Sequence, residues 1–268
     1  MNYSKGSKIA IASAIILTVL LFFAPTKPWG NTEKETQERV KPQSTAKLSG
    51  EQQKELDNLN SILEKAGSEK EKLDALKEVS LFWKKVKSPF DVALTFESIA
   101  EITNTSDAWN QAGEEYYRAT QFVDENSQGT VYQNAIAMFD KTLKLDAANE
   151  TAKIKKGVCI VEMGIAPMDG IKLLREVAEK NPKNIDAQLN LGFLSIRSNQ
   201  YDKALERFEN ILKIDSNYSD AYIYTANVYE MTSDTAKAIL NYEKYITTSK
   251  DTIGVSQVRD YIKKFSKN

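Results

Sequence analysis

Few side chains in this sequence of 268 residues could carry out covalent or acid–base chemistry. The chain has no histidine, so it lacks the side chain that most often serves as a general base or a metal ligand. Its one cysteine, Cys159, excludes an intrachain disulfide and a zinc site built from several thiolates. The surrounding segment GVCIVEM is typical of a packed helix, which favours a buried thiol over a nucleophile.

Acidic side chains and phosphate-binding loops provide no stronger signal. Charged residues make up 27% of the chain, so pairs of carboxylates occur in many places and specify no acid–base site. No glycine-rich loop follows a strand pattern, as a phosphate-binding loop would require. The net charge of −1 offers no electrostatic attraction for nucleic acid. We therefore expect no enzymatic activity, no cofactor, no metal and no nucleic-acid partner.

Residues 181–249 instead contain a sequence that is almost repeated. Gly192 and Ala226 lie 34 residues apart. The same spacing separates three further pairs, which are Ala204 and Ala238, Phe208 and Tyr242, and Ile211 and Tyr245. A fixed period near 34, with small and aromatic residues in register, is typical of a helix–turn–helix repeat. The polar connection 198–200 is so short that its two helices must be antiparallel neighbours.

This pattern resembles the tetratricopeptide repeat (TPR) family, and the resemblance extends over about residues 70–250. It consists of small residues at Gly192 and Ala226, alanine at Ala204 and Ala238, aromatic residues at Phe208 and Tyr242, and proline at Pro182. The resemblance implies an all-α fold, a TPR-type helical-hairpin solenoid, and binding of a protein or peptide partner. One hairpin cannot bury its apolar face alone, so successive hairpins must stack.

The stacking depends on small residues where helices cross and on large residues that fill the space beside them. The predicted repeat-packing residues are Trp109, Gly113, Ala135, Phe139, Gly157, Gly170, Leu174, Gly192, Ala204, Phe208, Ala226, Ala238 and Tyr242.

The chain is predicted to consist of successive segments. They are an N-terminal tail (1–8), a transmembrane anchor (9–24), a flexible linker (25–50), an amphipathic helix (51–67), a degenerate repeat (68–105), a repeat with a long insertion between its helices (106–149), three further repeats (150–184, 185–218 and 219–250) and a C-terminal capping helix (251–268). Ser49 and Ser68 are predicted helix caps, because Gln52 and Glu71 follow three residues later as in a capping box.

Two of these segments leave alternatives open. The helix at 51–67 has apolar residues for only about two heptads, which favours packing on the first repeat over a dimeric coiled coil. The extra residues around 124–129 indicate either longer helices or a protruding turn, which could be functional or simply tolerated.

The run IAIASAIILTVLLFFA at residues 9–24 carries no charge. As a helix it would span about 24 Å, slightly less than a hydrocarbon core of about 30 Å. Lys8 and Trp29 suit the two interfaces. A cleaved signal peptide is the alternative, but Phe22 and Pro25 around Ala24 fit a cleavage site poorly. We therefore expect an uncleaved, single-pass N-terminal transmembrane helix.

The orientation of this anchor is less clearly encoded, since cationic residues lie on both sides of the run. The residues before it contain no acid, and the order of cationic and apolar residues is that of a secretion signal. We expect a bacterial inner-membrane protein whose N-terminus is cytoplasmic and whose repeats are periplasmic. A cytosol-facing scaffold is the alternative.

In the TPR family the first helix of each hairpin lines a groove, which implies a candidate peptide groove here. Its residues would be Tyr117, Arg118, Ile154, Val158, Val161, Leu189, Phe193, Ile196, Arg197 and Ile223. Most are apolar, which suits an amphipathic helix or an extended peptide, whereas the two arginines could hold an acidic group. Alternatively, adjacent repeats or the capping helix cover these residues.

The expected function is a membrane-tethered TPR scaffold or adaptor of an envelope complex. The main alternative is a chaperone-like holdase for envelope protein maturation, of the type that holds apo-proteins for cofactor attachment in cytochrome biogenesis. Leu189 and Phe193 stand where a clamp for a peptide carboxylate would need lysine and asparagine, which disfavours binding of chaperone tails.

Overall fold

A computed structural model describes residues 46–265, with side chains described to residue 263. These residues form twelve α-helices and one 3-10 helix, and the fold is an all-α, TPR-like array of helical hairpins. The helices are α1 (Gly50–Lys65), α2 (Glu69–Val86), α3 (Pro89–Thr103), α4 (Ser106–Ala119), the 3-10 helix (Thr120–Phe122), α5 (Glu125–Leu145), α6 (Glu150–Met163), α7 (Pro167–Lys180), α8 (Ile185–Arg197), α9 (Tyr201–Ile214), α10 (Asp220–Met231), α11 (Thr235–Thr248) and α12 (Thr252–Phe265).

The tail 1–8, the predicted transmembrane run 9–24 and the linker as far as residue 45 lie outside the described residues. Between residues 46 and 265, none of the helices has the length and apolar character needed to cross a membrane. The described chain divides within α7 into two compact units, residues 46–174 and residues 175–265.

Side-chain caps fix where many of the helices begin. Ser49 and Ser68 accept hydrogen bonds from the backbone N–H groups of Gln52 and Glu71, whose side chains accept in return from the backbones of the two serines. Both predicted capping boxes are therefore confirmed. Each such cap satisfies N–H groups that have no partner inside the helix, and its loss costs about 1 kcal/mol.

The turns inside three successive hairpins share one backbone feature. Gly164, Asn199 and Ser233 all adopt a positive φ, at 71°, 56° and 62° respectively. Asn199 follows Gly164 by 35 positions, and Ser233 follows Asn199 by 34. The spacing between the first two turns is therefore one residue longer than the repeat period. The left-handed conformation lets the chain reverse its direction immediately after the first helix of each hairpin.

In the first unit, the core is built around Trp109, Tyr116 and Phe139, which are almost fully buried. Full burial of an aromatic side chain stabilises a fold by about 2–3 kcal/mol. Helix α1 joins this unit by packing Leu56 and Leu59 against a cluster at the end of α2. It therefore packs on the first repeat, as the short apolar stripe predicted.

The insertion in the 106–149 repeat is helical. Its residues form the 3-10 helix Thr120–Phe122 and lengthen α5 to 21 residues, compared with 14 residues in α9. Of the two alternatives, longer helical structure is therefore the one observed.

The second unit contains two adjoining cores. Phe208 and Ile211 are fully buried in the first, together with Ala204 and Val228. Tyr242 and Tyr245 lie in the second, which also contains Val255 and Val258 of α12. The last helix therefore completes an apolar core that the final hairpin would otherwise expose.

Candidate peptide-binding surface

The predicted repeat-packing residues occupy the interior of the two units. All of them, from Trp109 to Tyr242, are buried. Small residues permit close helix contact at several of these positions. A Cβ atom on Gly192 would lie 2.6 Å from a ring carbon of Phe208, and one on Gly157 would lie 2.8 Å from the backbone oxygen of Gly170. Even one added methyl group would therefore force these helices apart.

Four of the predicted groove residues are core residues. Ile154, Val158, Val161 and Ile196 keep only 3%, 9%, 4% and 6% of their surface exposed. Of the two alternatives, coverage by neighbouring parts of the chain is therefore the one observed for these four side chains. The other six are at least partly exposed, and they fall into separate groups in the two units.

In the first unit, Tyr117 lies at the centre of a small polar and aromatic group. Its ring centroid is 6.4 Å from that of Tyr132, and the Lys155 ammonium lies 5.0 Å from it. Burial raises the pKa of the Tyr117 hydroxyl well above its usual value, so it stays protonated. Its neighbour Arg118 is exposed, but Arg118 Nη1 donates to Glu115 Oε2 at 2.6 Å. That guanidinium already has an acidic partner within its own helix.

In the second unit, Leu189, Phe193 and Arg197 recur every four residues along one face of α8, and all three are partly exposed. The Phe193 ring packs edge-on against Tyr224 of α10, with centroids 4.9 Å apart, and against Phe208 of α9 at 5.6 Å. Burial raises the pKa of Tyr224 to about 12. We call the strip formed by Leu189, Phe193 and Tyr224 the aromatic strip.

The remaining groove candidate, Ile223, packs against the core that includes α12. Two tyrosines stabilise the packing of α12 on this core. The Tyr261 hydroxyl of α12 donates to Glu230 Oε1 of α10 at 2.9 Å, and the Tyr261 ring lies 5.6 Å from that of Tyr242. The capping helix therefore covers the surface around Ile223, while Leu189 and Phe193 belong to the preceding core.

The side chains that could do chemistry are engaged in packing. Cys159 is completely buried, and burial raises the pKa of its thiol far above the ordinary value. A thiol held protonated is a poor nucleophile and a poor metal ligand. Among residues 46–263, no group of histidine, cysteine and carboxylate side chains is arranged to hold a metal ion.

Three residues of this surface were not among the sequence-based candidates: Tyr224, Glu230 and Tyr261. Nothing in the repeat pattern distinguishes Tyr224 from the other tyrosines of the second unit. Glu230 carries no sequence signal, because its burial depends on where α12 docks. Val258, Tyr261 and Ile262 lie at helical spacing, which is the pattern of an apolar face on the predicted capping helix.

Comparisons with known proteins agree with this architecture. Residues 168–226 match the family model described as tetratricopeptide repeat. The sequence matches no curated protein.

Among solved structures, the chain is similar to PilW, a widely conserved type IV pilus biogenesis factor, with 13% identity and a TM-score of 0.54 over 77% of this chain and 90% of that one. It is also similar to MamA, from residue 41 to the end, of Desulfovibrio magneticus RS-1, with 18% identity and a TM-score of 0.51 over 67% and 97% of the two chains. YrrB, a TPR protein with an unusual peptide-binding site, has 18% identity and a TM-score of 0.46 over 75% and 96%. At such low identities the likeness concerns the fold alone.

Proposed function

We propose that this chain, a TPR protein by its hairpin array and by the match over residues 168–226, is a membrane-tethered scaffold that binds a protein partner through the aromatic strip. TPR proteins bind peptide or protein partners, which supports the general class of function. The membrane tether, the envelope complex and the identity of the partner are parts of the proposal.

The observation that carries the proposal is the partial exposure of Leu189 and Phe193 beside aromatic side chains that fix the position of the Phe193 ring. Edge-on contacts with Tyr224 and Phe208 hold the Phe193 ring in one position. A side chain that is already fixed loses little conformational freedom when a partner binds, so more of the contact energy remains as affinity. An amphipathic helix or extended peptide with apolar anchors has the matching chemistry.

The tether rests on the sequence outside the described residues. The run 9–24 carries no charge, and residues 25–45 would join it to the first unit. We place the N-terminus in the bacterial cytoplasm and the repeats in the periplasm, at the inner membrane. A reporter enzyme fused after Asn268 that is active only in the periplasm tests this orientation. Activity of a cytosolic reporter instead would contradict it.

The binding surface is best tested by site-specific photocrosslinking in detergent-solubilised membranes. A photoreactive amino acid at Phe193 is expected to capture one defined partner. The same group at Leu240, whose side chain is 51% exposed in the same unit, provides the control. Equal capture from both positions would contradict a role for the aromatic strip. Capture of many unfolded proteins from Phe193 would indicate a holdase in place of an adaptor.

A substitution tests the same surface without a probe. Leu189→Gln keeps a side chain of similar length but removes its apolar end, so it is expected to weaken capture of the partner. Leu240→Gln is the matched control and should leave capture unchanged. Ile196 is unsuitable for this test, because a polar group there would enter the core.

A further inference from the structure

Three turns of the first unit lie along one edge, because neighbouring helices run antiparallel. Gly113 of α4 faces Phe139 of α5, and Tyr117 faces Tyr132. Lys156 of α6 pairs with Asp140 of α5, and the two residues stand at similar distances from the turn that joins these helices, so α6 is antiparallel to α5 and parallel to α4. The α2–α3, α4–α5 and α6–α7 turns therefore share one side of the unit. The α1–α2, α3–α4 and α5–α6 turns share the other.

The described chain also begins on the first of these sides. Helix α1 is antiparallel to α2, since Lys85 near the end of α2 lies 3.1 Å from Glu55 near the start of α1. Ala46 and Leu48 pack against the cluster that contains Trp83. The first described residue, Ala46, therefore lies at the same side as the three turns. We call this side the N-terminal edge.

The N-terminal edge exposes large apolar side chains at two of its three turns. Phe122 of the 3-10 helix is 65% exposed, Ile165 in the α6–α7 turn is 63% exposed, and Met168 at the start of α7 is 57% exposed. On the opposite edge, the turns 66–68, 104–105 and 146–149 contain no large apolar residue, while Ile62 and Leu145 in the adjoining helix ends are 50% and 49% exposed. Phe122, Ile165 and Met168 are the three most exposed large apolar side chains of the first unit. Exposed apolar surface that gathers at one edge is a feature of contact sites for proteins or membranes.

The third turn of this edge is cationic. Lys84, Lys85 and Lys87 are all exposed there, although Lys85 pairs with Glu55. The charged residues around the edge are Lys47, Glu51, Lys54, Glu55, Lys84, Lys85, Lys87, Asp91, Arg118, Asp124, Glu125, Glu162, Asp169 and Lys172. Three exposed lysines stand at the α2–α3 turn beside Glu51 and Glu55, whereas acids outnumber bases around the other two turns.

We infer that the N-terminal edge rests on the lipid bilayer, with Phe122, Ile165 and Met168 entering the interfacial region and the lysine turn facing anionic headgroups. The inference depends on the membrane tether of the proposed function. If residues 25–45 form a flexible chain, as the sequence predicts, their mean reach would be about 25 Å. An anchor at residues 9–24 would then keep this edge near the bilayer. A tethered surface needs little intrinsic affinity, because its effective concentration at the bilayer is high. Lysines near an anionic surface add attraction.

Fluorescent labels on the full chain in vesicles test this contact. Cys159 is buried and stays unlabelled, so Phe122→Cys and Ile165→Cys can each carry one environment-sensitive dye. Leu145→Cys is the control, since Leu145 is 49% exposed at the opposite edge. Labels at residues 122 and 165 are expected to emit at shorter wavelength and to be quenched by spin-labelled lipid. The label at residue 145 should show neither effect.

Identical, water-like emission at all three positions would overturn the inference, and so would protection at 122 and 165 that appears only after a protein partner is added. Crosslinking from Phe193 in the same vesicles separates this failure from a failure of the proposed binding surface. Release of the chain by an alkaline wash would show that the tether itself is wrong, and the inference would fall with it.

The lysine turn is tested by lipid composition. In vesicles containing anionic lipid, the spectral shift at residue 122 is expected to exceed that in purely zwitterionic vesicles. Lys84→Gln combined with Lys87→Gln should abolish this difference. Lys65→Gln with Lys144→Gln is the matched control, because both lysines stand in the last turn of a helix at the opposite edge. Equal shifts in both lipids would overturn the role of the lysines.

Discussion

The ring of Phe139 lies directly against Gly113, where an added Cβ atom would stand only 2.6 Å from the nearest ring carbon. Phe208 has the same relationship to Gly192, also at 2.6 Å. The two residues of the first pair are 26 positions apart, whereas those of the second are 16 apart. The extra residues of the first hairpin therefore leave its helix contact unchanged, because they are taken up by the 3-10 helix and the start of α5.

Gly113→Ala should destabilise the protein. The added methyl group collides with Phe139 inside a filled core, and such overpacking costs about 1–3 kcal/mol. Urea denaturation followed by circular dichroism measures the change. Gly129→Ala is the control, because Gly129 lies in α5 with no atom within 4 Å of its added Cβ. That substitution should instead stabilise the helix by up to about 1 kcal/mol. Equal effects of the two substitutions would contradict the observed contact.

Ser233→Gly should stabilise the second unit slightly. Ser233 has a φ of 62°, a conformation that is unfavourable for a side-chain-bearing residue and neutral for glycine. The relief of strain is partly offset by the greater freedom of glycine in the unfolded chain, so we expect a gain of about 0.5 kcal/mol. Ser256→Gly, in the exposed face of α12, should lose about 0.5 kcal/mol. Thermal denaturation of the two variants should therefore shift in opposite directions.

The stability of the second unit should depend on the charge of Glu230. Burial raises the pKa of this carboxyl above its ordinary value of 4.5, although the hydrogen bond from the Tyr261 hydroxyl partly opposes the shift. The folded state therefore holds the proton more tightly than the unfolded state. The contribution of Glu230 to stability is therefore fully present below pH 4.5 and is lost as the pH rises through the raised pKa.

Glu230→Gln tests this pH dependence, because glutamine cannot ionise. The variant should have a higher Tm than the native chain at pH values above the raised pKa of Glu230. This difference in Tm should disappear as the pH falls below 4.5. Glu243→Gln, at an exposed position of α11, is the control and should show no such dependence. A constant difference in Tm between the Glu230 variant and the native chain from acid to neutral pH would rule out the explanation.

Cys159 should be unreactive in the folded protein. It is fully buried, so thiol reagents cannot reach it. Burial also raises the pKa of the thiol, so the reactive thiolate does not form. Modification by a maleimide should therefore follow unfolding, and its midpoint in urea should coincide with the loss of helical signal. Rapid labelling without denaturant would show that the first unit opens locally.

The hairpins could be predicted because their determinants are local. Gly192, Ala204 and Phe208 form the contact between two adjacent helices, and their spacing can be read directly from the sequence. Capping by Ser49 and Ser68 is equally local, since each involves one turn of helix. Such features need no knowledge of the rest of the fold.

The candidate surface could be predicted only in part, because exposure depends on how closely successive hairpins approach. Ile154 and Leu189 take the same place in their first helices, yet Ile154 is buried and Leu189 is partly exposed. The contact of Tyr261 with Glu230 joins residues 31 positions apart on two different helices. No periodic pattern in the sequence specifies such contacts.

The differing separations of the two glycine–phenylalanine pairs indicate how such a protein can change during evolution. New residues can be inserted between the two helices of a hairpin while the contact that aligns the layers is retained. Insertions of this kind add residues only beside the turn of a hairpin. That turn can therefore acquire new binding specificities while the helix contacts in the core are retained.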